Sequence, residues 1–265
     1  MFERRRDALT RKRRRLVHIR GALHVHSKLS HDGTMTVEEL VHWYKRNGYQ
    51  FLAMGEHAED LDEAKVEALR DLSAAASDYE FCVVPGIEFA VTNAIHIVGI
   101  GVVSLIREKE PVAVVTKIHE LGGFAILAHP KRLRWECPSE LLRAVDAAEI
   151  WNVGYDGKYL PSPKALDAFR RMLQVNPKLL AVASHDFHRT ASFYDVSIEM
   201  EVLSLSSSAI LQNLQHGCYD IRSRFFRTDS KAQMSRFKAV SISLLSRQLT
   251  DLKKLRSTFL RSTAS

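Results

Sequence analysis

An α/β fold, a largely parallel sheet or barrel covered by helices, is predicted by three observations. Apolar strand-like runs alternate with helix-like segments through the middle of the chain. Several of those runs end directly on His, Asp or Glu. The 265 residues, 46% hydrophobic and 26% charged, suffice for one large domain with a real core or for two small ones.

Taken in order, the strand runs are 17–26, 50–54, 81–87, 95–103, 124–128, 147–151 and 179–183. The helical segments are 36–47, 61–76, 111–121, 139–146, 163–174 and 207–216. The first helix carries its own start and stop: Thr36 as N-cap, Glu39 three residues on to complete a capping box, and Gly48 as terminator. Ser139 and Ser208 are expected to cap later helices in the same way. No internal repeat is visible. Near the end, about 231–260, Leu245, Leu249, Leu252, Leu255 and Phe259 recur at helical spacing among Lys and Arg. This predicts a basic amphipathic helix, either docked on the body or bound to a membrane surface or partner.

The net charge of +7 hides an uneven distribution. Residues 1–15 hold eight Lys/Arg against two Asp/Glu, and 222–265 hold eleven against two. The remainder, 16–221, has 19 basic and 27 acidic residues. The chain therefore divides into a basic N-terminal tail (1–15), an acidic His-rich body (16–221) suited to cations, and a basic helical tail (222–265). The tails are either solvated or contact an anionic partner such as nucleic acid or a membrane surface. No apolar run is long enough to span a bilayer and no secretory signal is visible, so a cytoplasmic location is expected. Cys82, Cys137 and Cys218 are widely spaced, form no CxxC pair, and are read as small buried hydrophobes.

The chemistry lies at the strand ends. In the first run the even positions include His24 and His26, which period-two alternation puts on one face, within reach of a single metal ion. "FLAMGEH" ends on Glu56-His57, "FCVVPGIE" on Glu88, "GFAILAHP" on His129, and "LLAVASHDFH" on His185, Asp186 and His188, while His96 opens a strand. In an α/β barrel the C-terminal strand ends converge on one rim, where active sites lie. Imidazole and carboxylate without thiolate suit Zn, Mn or Fe.

The order of these motifs resembles the PHP (polymerase and histidinol phosphatase) superfamily of metal-dependent hydrolases over about 17–190. The matching elements are His24-Val-His26, Ser30-His-Asp32-Gly33, Gly55-Glu56-His57, Gly86-Ile-Glu88, His96, Ala128-His129-Pro130 and His185-Asp186-Phe-His188. The resemblance implies a distorted seven-stranded (β/α) barrel with up to three metals. It implies that His24, His26, Glu88 and Asp186 hold the first metal. Glu88 would bridge to a second, completed by His96 and His129, and Asp32, His57 and His188 would hold a third. Two departures fall around that third site. His31 sits just before Asp32, so either could be the ligand, and Gly55-Glu56 replaces the family's Thr-Asp. Glu149 and Asn152, in "EIWN", match a Glu-x-x-Asn frequent in the superfamily, with a role either in orienting ligands or in lining the pocket.

Two or three divalent ions (Zn, Mn or Fe) bridged by Glu88 would lower the pKa of a shared water and neutralise phosphate oxygens. No G-x-S-x-G elbow, Cys-x5-Arg loop or Walker sequence competes as a source of catalysis. The expected reaction is hydrolysis of a phosphate ester: a small phosphomonoester, a nucleotide or an oligonucleotide. Glu88 and Asp186 are the expected catalytic carboxylates, and Lys131, Arg132 and Arg189, which follow ligand positions, are candidates for holding the substrate phosphate. Carboxyl or carbamate ester hydrolysis, a protein-tyrosine phosphatase activity, and a non-catalytic metal-stabilised module remain alternatives.

Overall fold

A computed structural model describes residues 16–157 and 159–232. The basic N-terminal tail and the amphipathic segment at 231–260, beyond Ala232, lie outside the described residues. The strands are β1 (Val17–Val25), β2 (Phe51–Met54), β3 (Glu56–His57), β4 (Cys82–Val84), β5 (Gly86–Ala90), β6 (His96–Ile100), β7 (Phe124–Leu127), β8 (Ala147–Asn152), β9 (Leu180–Ser184), β10 (Val196–Val202), β11 (Asp220–Ser223) and β12 (Arg227–Asp229). The helices are α1 (Val37–Arg46), α2 (Glu63–Ala75), α3 (Pro111–Glu120), α4 (Ser139–Ala144), α5 (Pro163–Val175) and α6 (Ser207–His216).

Every strand run and every body helix read from the sequence is present, but the sheet is subdivided differently. Among the described residues the ladders form two six-stranded sheets, in the orders β12-β11-β10-β1-β2-β4 and β3-β5-β6-β7-β8-β9. The expected single ring of seven strands is therefore not what the ladders draw. Two local breaks account for part of the difference. Gly55 separates β2 from β3, and Pro85, which lacks a donor for the ladder, separates β4 from β5. The sheets meet again where His185 N donates to Leu23 O (3.0 Å) and His26 N donates to Phe187 O (2.9 Å).

The remaining difference is an antiparallel extension. β10 pairs with β1, β11 with β10, and β12 with β11. The boundary expected at 221 falls inside β11, so residues 222–229 belong to a sheet edge and not to a helical tail. β11 and β12 are short and polar, which is why apolar periodicity does not reveal them.

Local signals behave as their chemistry dictates. The capping box at α1 is complete: Glu39 N donates to Thr36 Oγ1 (3.2 Å) and Thr36 N to Glu39 Oε2 (2.7 Å). Gly48 takes φ +79 just beyond the helix, where a side chain would be strained. Ser139 and Ser208 are not caps. Pro138 precedes α4 without a side-chain cap, and Ser206 caps α6 by accepting from Ala209 N. Of the cysteines only Cys82 is buried, Cys137 is half-buried and Cys218 is exposed. Leu23, Phe51, Leu52, Ile97, Val98, Phe124 and Trp151 are fully buried between the sheets and the helices. No described helix is long and apolar enough to cross a membrane.

Candidate metal centre

β1 does not alternate cleanly to its end. The register with β2 slips between Leu23 and Val25, and the extra residue, His24, adopts φ +60. It is this bulge, and not simple alternation, that aims His24 inward. His26 follows just past the strand, and the two rings lie 4.9 Å apart, both buried. His129 and Asp186 also have positive φ, +29 and +46. Three of the eight non-glycine residues with positive φ among the described residues are thus candidate ligands.

Glu88 is the hub. β3 and β5 pair in parallel, placing His57 opposite Glu88. Glu88 Oε1 accepts from His96 Nδ1 (2.8 Å) and His129 Nε2 (2.9 Å), and Oε2 accepts from His57 Nδ1 (2.9 Å). His24 Nε2 lies 3.5 Å and His26 Nε2 3.9 Å from the same Oε2. Asp186 Oδ1 faces His24 Nε2 at 3.6 Å and His26 Nε2 at 3.4 Å. On the outer side Asp32 lies between His57 Nε2 (3.3 Å) and His188 Nε2 (3.1 Å). All nine side chains singled out from the sequence thus meet in one cluster.

Of the two neighbours at the third group, Asp32 faces both imidazoles. His31 is 66% exposed and donates from both its backbone N and Nδ1 to Asp60 Oδ2. The loop that delivers Asp32 is tight. Gly33 N donates to Ser30 O and Thr34 N to His188 O, and a Cβ on Gly33 would strike the Ser27 carbonyl.

Behind the cluster, Glu149 accepts from His24 Nδ1 (2.8 Å), His129 N (2.6 Å) and Asn152 Nδ2 (2.8 Å). Of the two roles left open for it, orienting ligands matches these contacts: it fixes the Nδ1 proton of His24 and turns Nε2 toward Glu88 and Asp186. Asn152 Nδ2 also donates to Asp186 Oδ2 at 3.2 Å. His185 stands apart, buried, with Nδ1 accepting from Tyr44 Oη (2.7 Å) and Nε2 donating to Val196 O (2.5 Å). Tyr155, which carried no sequence signal, lies with its ring 5.1 Å from that of His129.

The electrostatics follow from carboxylates packed among imidazoles. Burial alone would lower the His24 pKa, but Asp186, Glu88 and Glu149 outweigh it and raise it well above the usual imidazole range. Burial dominates at His26, pushing it down to about 4. Burial opposes ionisation of Glu88, yet the surrounding histidines, His24 first, hold it well below its ordinary value. Burial opposes ionisation of Asp186 as well, yet the charge of His24 and the nearness of His26 hold it low. His57 rises to about 9 because the hydrogen bond and charge of Glu88 exceed the cost of its burial.

A test of fit to a metal is the state of the buried donors. His24 Nε2 and His26 Nε2 are both buried and have no hydrogen-bond partner among the described residues. They point at two ionised carboxylates, and buried imidazole nitrogens left unpartnered toward such a pocket fit a divalent cation. Three-residue groups with donor atoms mutually within 4.8 Å include His24-Glu88-His129, His24-His26-Asp186 and His26-His57-His188.

Of the expected substrate contacts, Arg132 Nη1 approaches His96 Nε2 (3.4 Å). Lys131 Nζ donates to the Tyr155 carbonyl and lies 3.8 Å from Asp156 Oδ1. Arg189 is exposed just beyond His188.

Comparison with known proteins points the same way as the motifs. Residues 22–144 match the model of the PHP domain. No curated protein matches the chain significantly. Among solved structures, the fold is similar to PsfC from Pseudomonas syringae (TM-score 0.59, 16% identity, covering 88% of this chain and 99% of that one). It is also similar to a two-domain protein from Bacteroides vulgatus containing a predicted PHP-like metal-dependent phosphoesterase (TM-score 0.57, 15% identity, 78% of this chain and 65% of that one). A third likeness is to the lesion-specific endonuclease PfuEndoQ from Pyrococcus furiosus (TM-score 0.54, 13% identity, 76% of this chain and 56% of that one). The chain thus spans just under two thirds of the Bacteroides protein and little more than half of the Pyrococcus one. At these identities the likeness is one of fold. With the cluster assembled around Glu88 goes the match over 22–144, so that this part of the chain is similar to a PHP domain.

Proposed function

We propose that this protein is a metal-dependent phosphoesterase that hydrolyses a phosphomonoester, a nucleotide or an oligonucleotide. The observation that carries this reading is the pair of buried, unpartnered His24 Nε2 and His26 Nε2 atoms facing Glu88 and Asp186. We read the two sheets, joined through His185 and His26, as the distorted seven-run barrel of the family, and residues 16–232 as its body.

His24, His26, Glu88 and Asp186 would hold one cation, Glu88, His96 and His129 a second, and Asp32, His57 and His188 a third. Bound Zn, Mn or Fe ions would supply a water of lowered pKa and charge to offset that on the phosphoryl oxygens. Glu88 and Asp186, the proposed catalytic carboxylates, stay ionised across the physiological range and so hold their positions without competing protons. Glu149 keeps the Nδ1 proton of His24 in place, so that Nε2 is the atom that would face the cation. Asn152 ties Glu149 to Asp186, so the two carboxylates move together. Lys131, Arg132 and Arg189 at the rim would receive the phosphate. The basic tails would add contact with an anionic partner, in a cytoplasmic setting.

The test is metal analysis followed by a screen of phosphomonoesters, phosphodiesters and carboxyl esters with added Mn. About two to three ions per chain and turnover of a phosphate ester are expected. Less than one ion per chain, with no turnover after reconstitution, removes the reading. Turnover confined to carboxyl esters reassigns the bond cleaved.

A further inference from the structure

The segment linking β8 to α5 connects the candidate metal centre to the β11–β12 hairpin. At one end the Tyr155 ring lies against His129, and Lys131 holds its carbonyl. Four residues further on, Tyr159 meets Phe225 at the hairpin tip, ring to ring at 6.3 Å, and Ser223 Oγ donates to the Tyr159 carbonyl (3.4 Å). The register places this tip at the same end of the sheet as the candidate ligands. Val196 opposes Ser223, and β1 runs antiparallel to β10 toward His24.

Three aromatic rings on this path stay open to solvent: Tyr155 at 39%, Tyr159 at 49% and Phe225 at 62%. Cations border them. Arg132 lies beside His96 at the inner end, and Arg224 sits over the Phe225 ring, 5.3 Å from its centroid. Arg224 makes no ion pair among the described residues. Arg20, Arg222 and Arg227, which line the adjoining groove with it, are each already held by Asp195, Glu199 or Asp220. Exposed rings at successive steps, bordered by unpaired cations, are what a flexible polyanion with flat bases requires. A duplex has no unstacked base to offer them.

We propose that single-stranded nucleic acid is the substrate class, its bases stacking on Phe225, Tyr159 and Tyr155 while its backbone passes Arg224 and Arg132 toward the metal centre. The strand binding stands on these residues alone. Delivery of a phosphodiester for cleavage rests on the phosphoesterase reading.

The experiment measures fluorescence anisotropy of a labelled single strand of about 8 nucleotides, DNA and RNA in separate arms. The protein is the full-length chain with EDTA present, so that no cleavage intervenes. Tyr159→Ala/Phe225→Ala is expected to weaken binding by about tenfold or more. Phe225→Trp should retain it, and Arg224→Ala should lower the salt slope by roughly one contact. Hydrolysis of p-nitrophenyl phosphate with Mn should be unchanged in all three, which also shows that they fold. The tails are present throughout, so differences between variants report this surface. Unchanged oligonucleotide affinity in the double variant overturns the proposal. So does a duplex that competes as well as the single strand. Loss of binding to anionic vesicles with oligonucleotide affinity intact would assign the surface to a membrane and likewise overturn it. If the wild type cleaves no ester yet the double variant loses the strand, the phosphoesterase reading fails and the strand site stands.

Discussion

Glu56 and Glu88 end neighbouring strand runs, both fully buried, and they are satisfied in different ways. Glu56 accepts from Ser27 N (2.9 Å) and Ser30 Oγ (2.5 Å), neutral donors in the loop that follows β1. Burial raises its pKa. Glu88 is ringed by imidazoles, its pKa is driven the other way, and two of the facing nitrogens have no partner. The first network is closed: every oxygen and donor in it is used. The second is left open at its centre. Since an unpartnered buried polar atom costs about 1–3 kcal/mol, an open network persists only where something else completes it. The comparison separates a carboxylate that builds a loop from one that builds a binding site.

Replacing the two glutamates tests that separation most directly. Glu88→Gln keeps the shape and removes the charge. Hydrolysis should fall by roughly 10³-fold or more, with lowered metal content by elemental analysis and an unchanged circular dichroism spectrum. Full activity would deny Glu88 its central place. Glu56→Ala should act on stability instead. It leaves Ser27 N and Ser30 Oγ without their acceptor, for a loss of about 3 kcal/mol in urea unfolding. An unchanged midpoint would show that the loop does not depend on this network.

His185 extends the contrast to pH. It is buried in a closed set of contacts with Tyr44 and Val196, and burial pushes its pKa down to about 4. The unfolded chain binds a proton there near pH 6.5, the folded chain only near 4, so stability falls as pH drops through that window. The difference between wild type and His185→Gln should reach about 3 kcal/mol at most. A flat difference from pH 7 to 4 would refute it. The smallest effect belongs to a feature outside both networks. Thr36→Ala removes the α1 cap and should cost about 1 kcal/mol without altering turnover.

What could be read in advance divides along physical lines. The inner strands were legible because burial on both faces demands continuous apolar runs such as Phe124–Leu127 and Leu180–Ser184. The nine clustered side chains were legible because their order along the chain follows a family pattern. Choosing between His31 and Asp32 needed the loop itself, where Asp60 engages His31 and leaves Asp32 facing His57 and His188. The inward aim of His24 depends on a bulge, which no alternation rule anticipates. β10 is different. Its sequence, VSIEMEV, alternates and so carries a strand signal, whereas β11 and β12 offer too few apolar residues to be seen. The Tyr155–Tyr159–Phe225 path joins a loop to a hairpin some 65 residues later, and only tertiary structure brings the two together.

Gly55, where the family pattern carries Thr, can be understood from the ring beside it. A Cβ at this position would sit 2.8 Å from Cδ2 of His24, and that ring cannot swing aside without leaving Glu149. The missing side chain is thus a mould for the imidazole. One added methyl group would act as a wedge, displacing a ligand without changing any donor atom, charge or proton. Any chain that exchanges this glycine for a larger residue must therefore also reshape the turn that carries its first histidine.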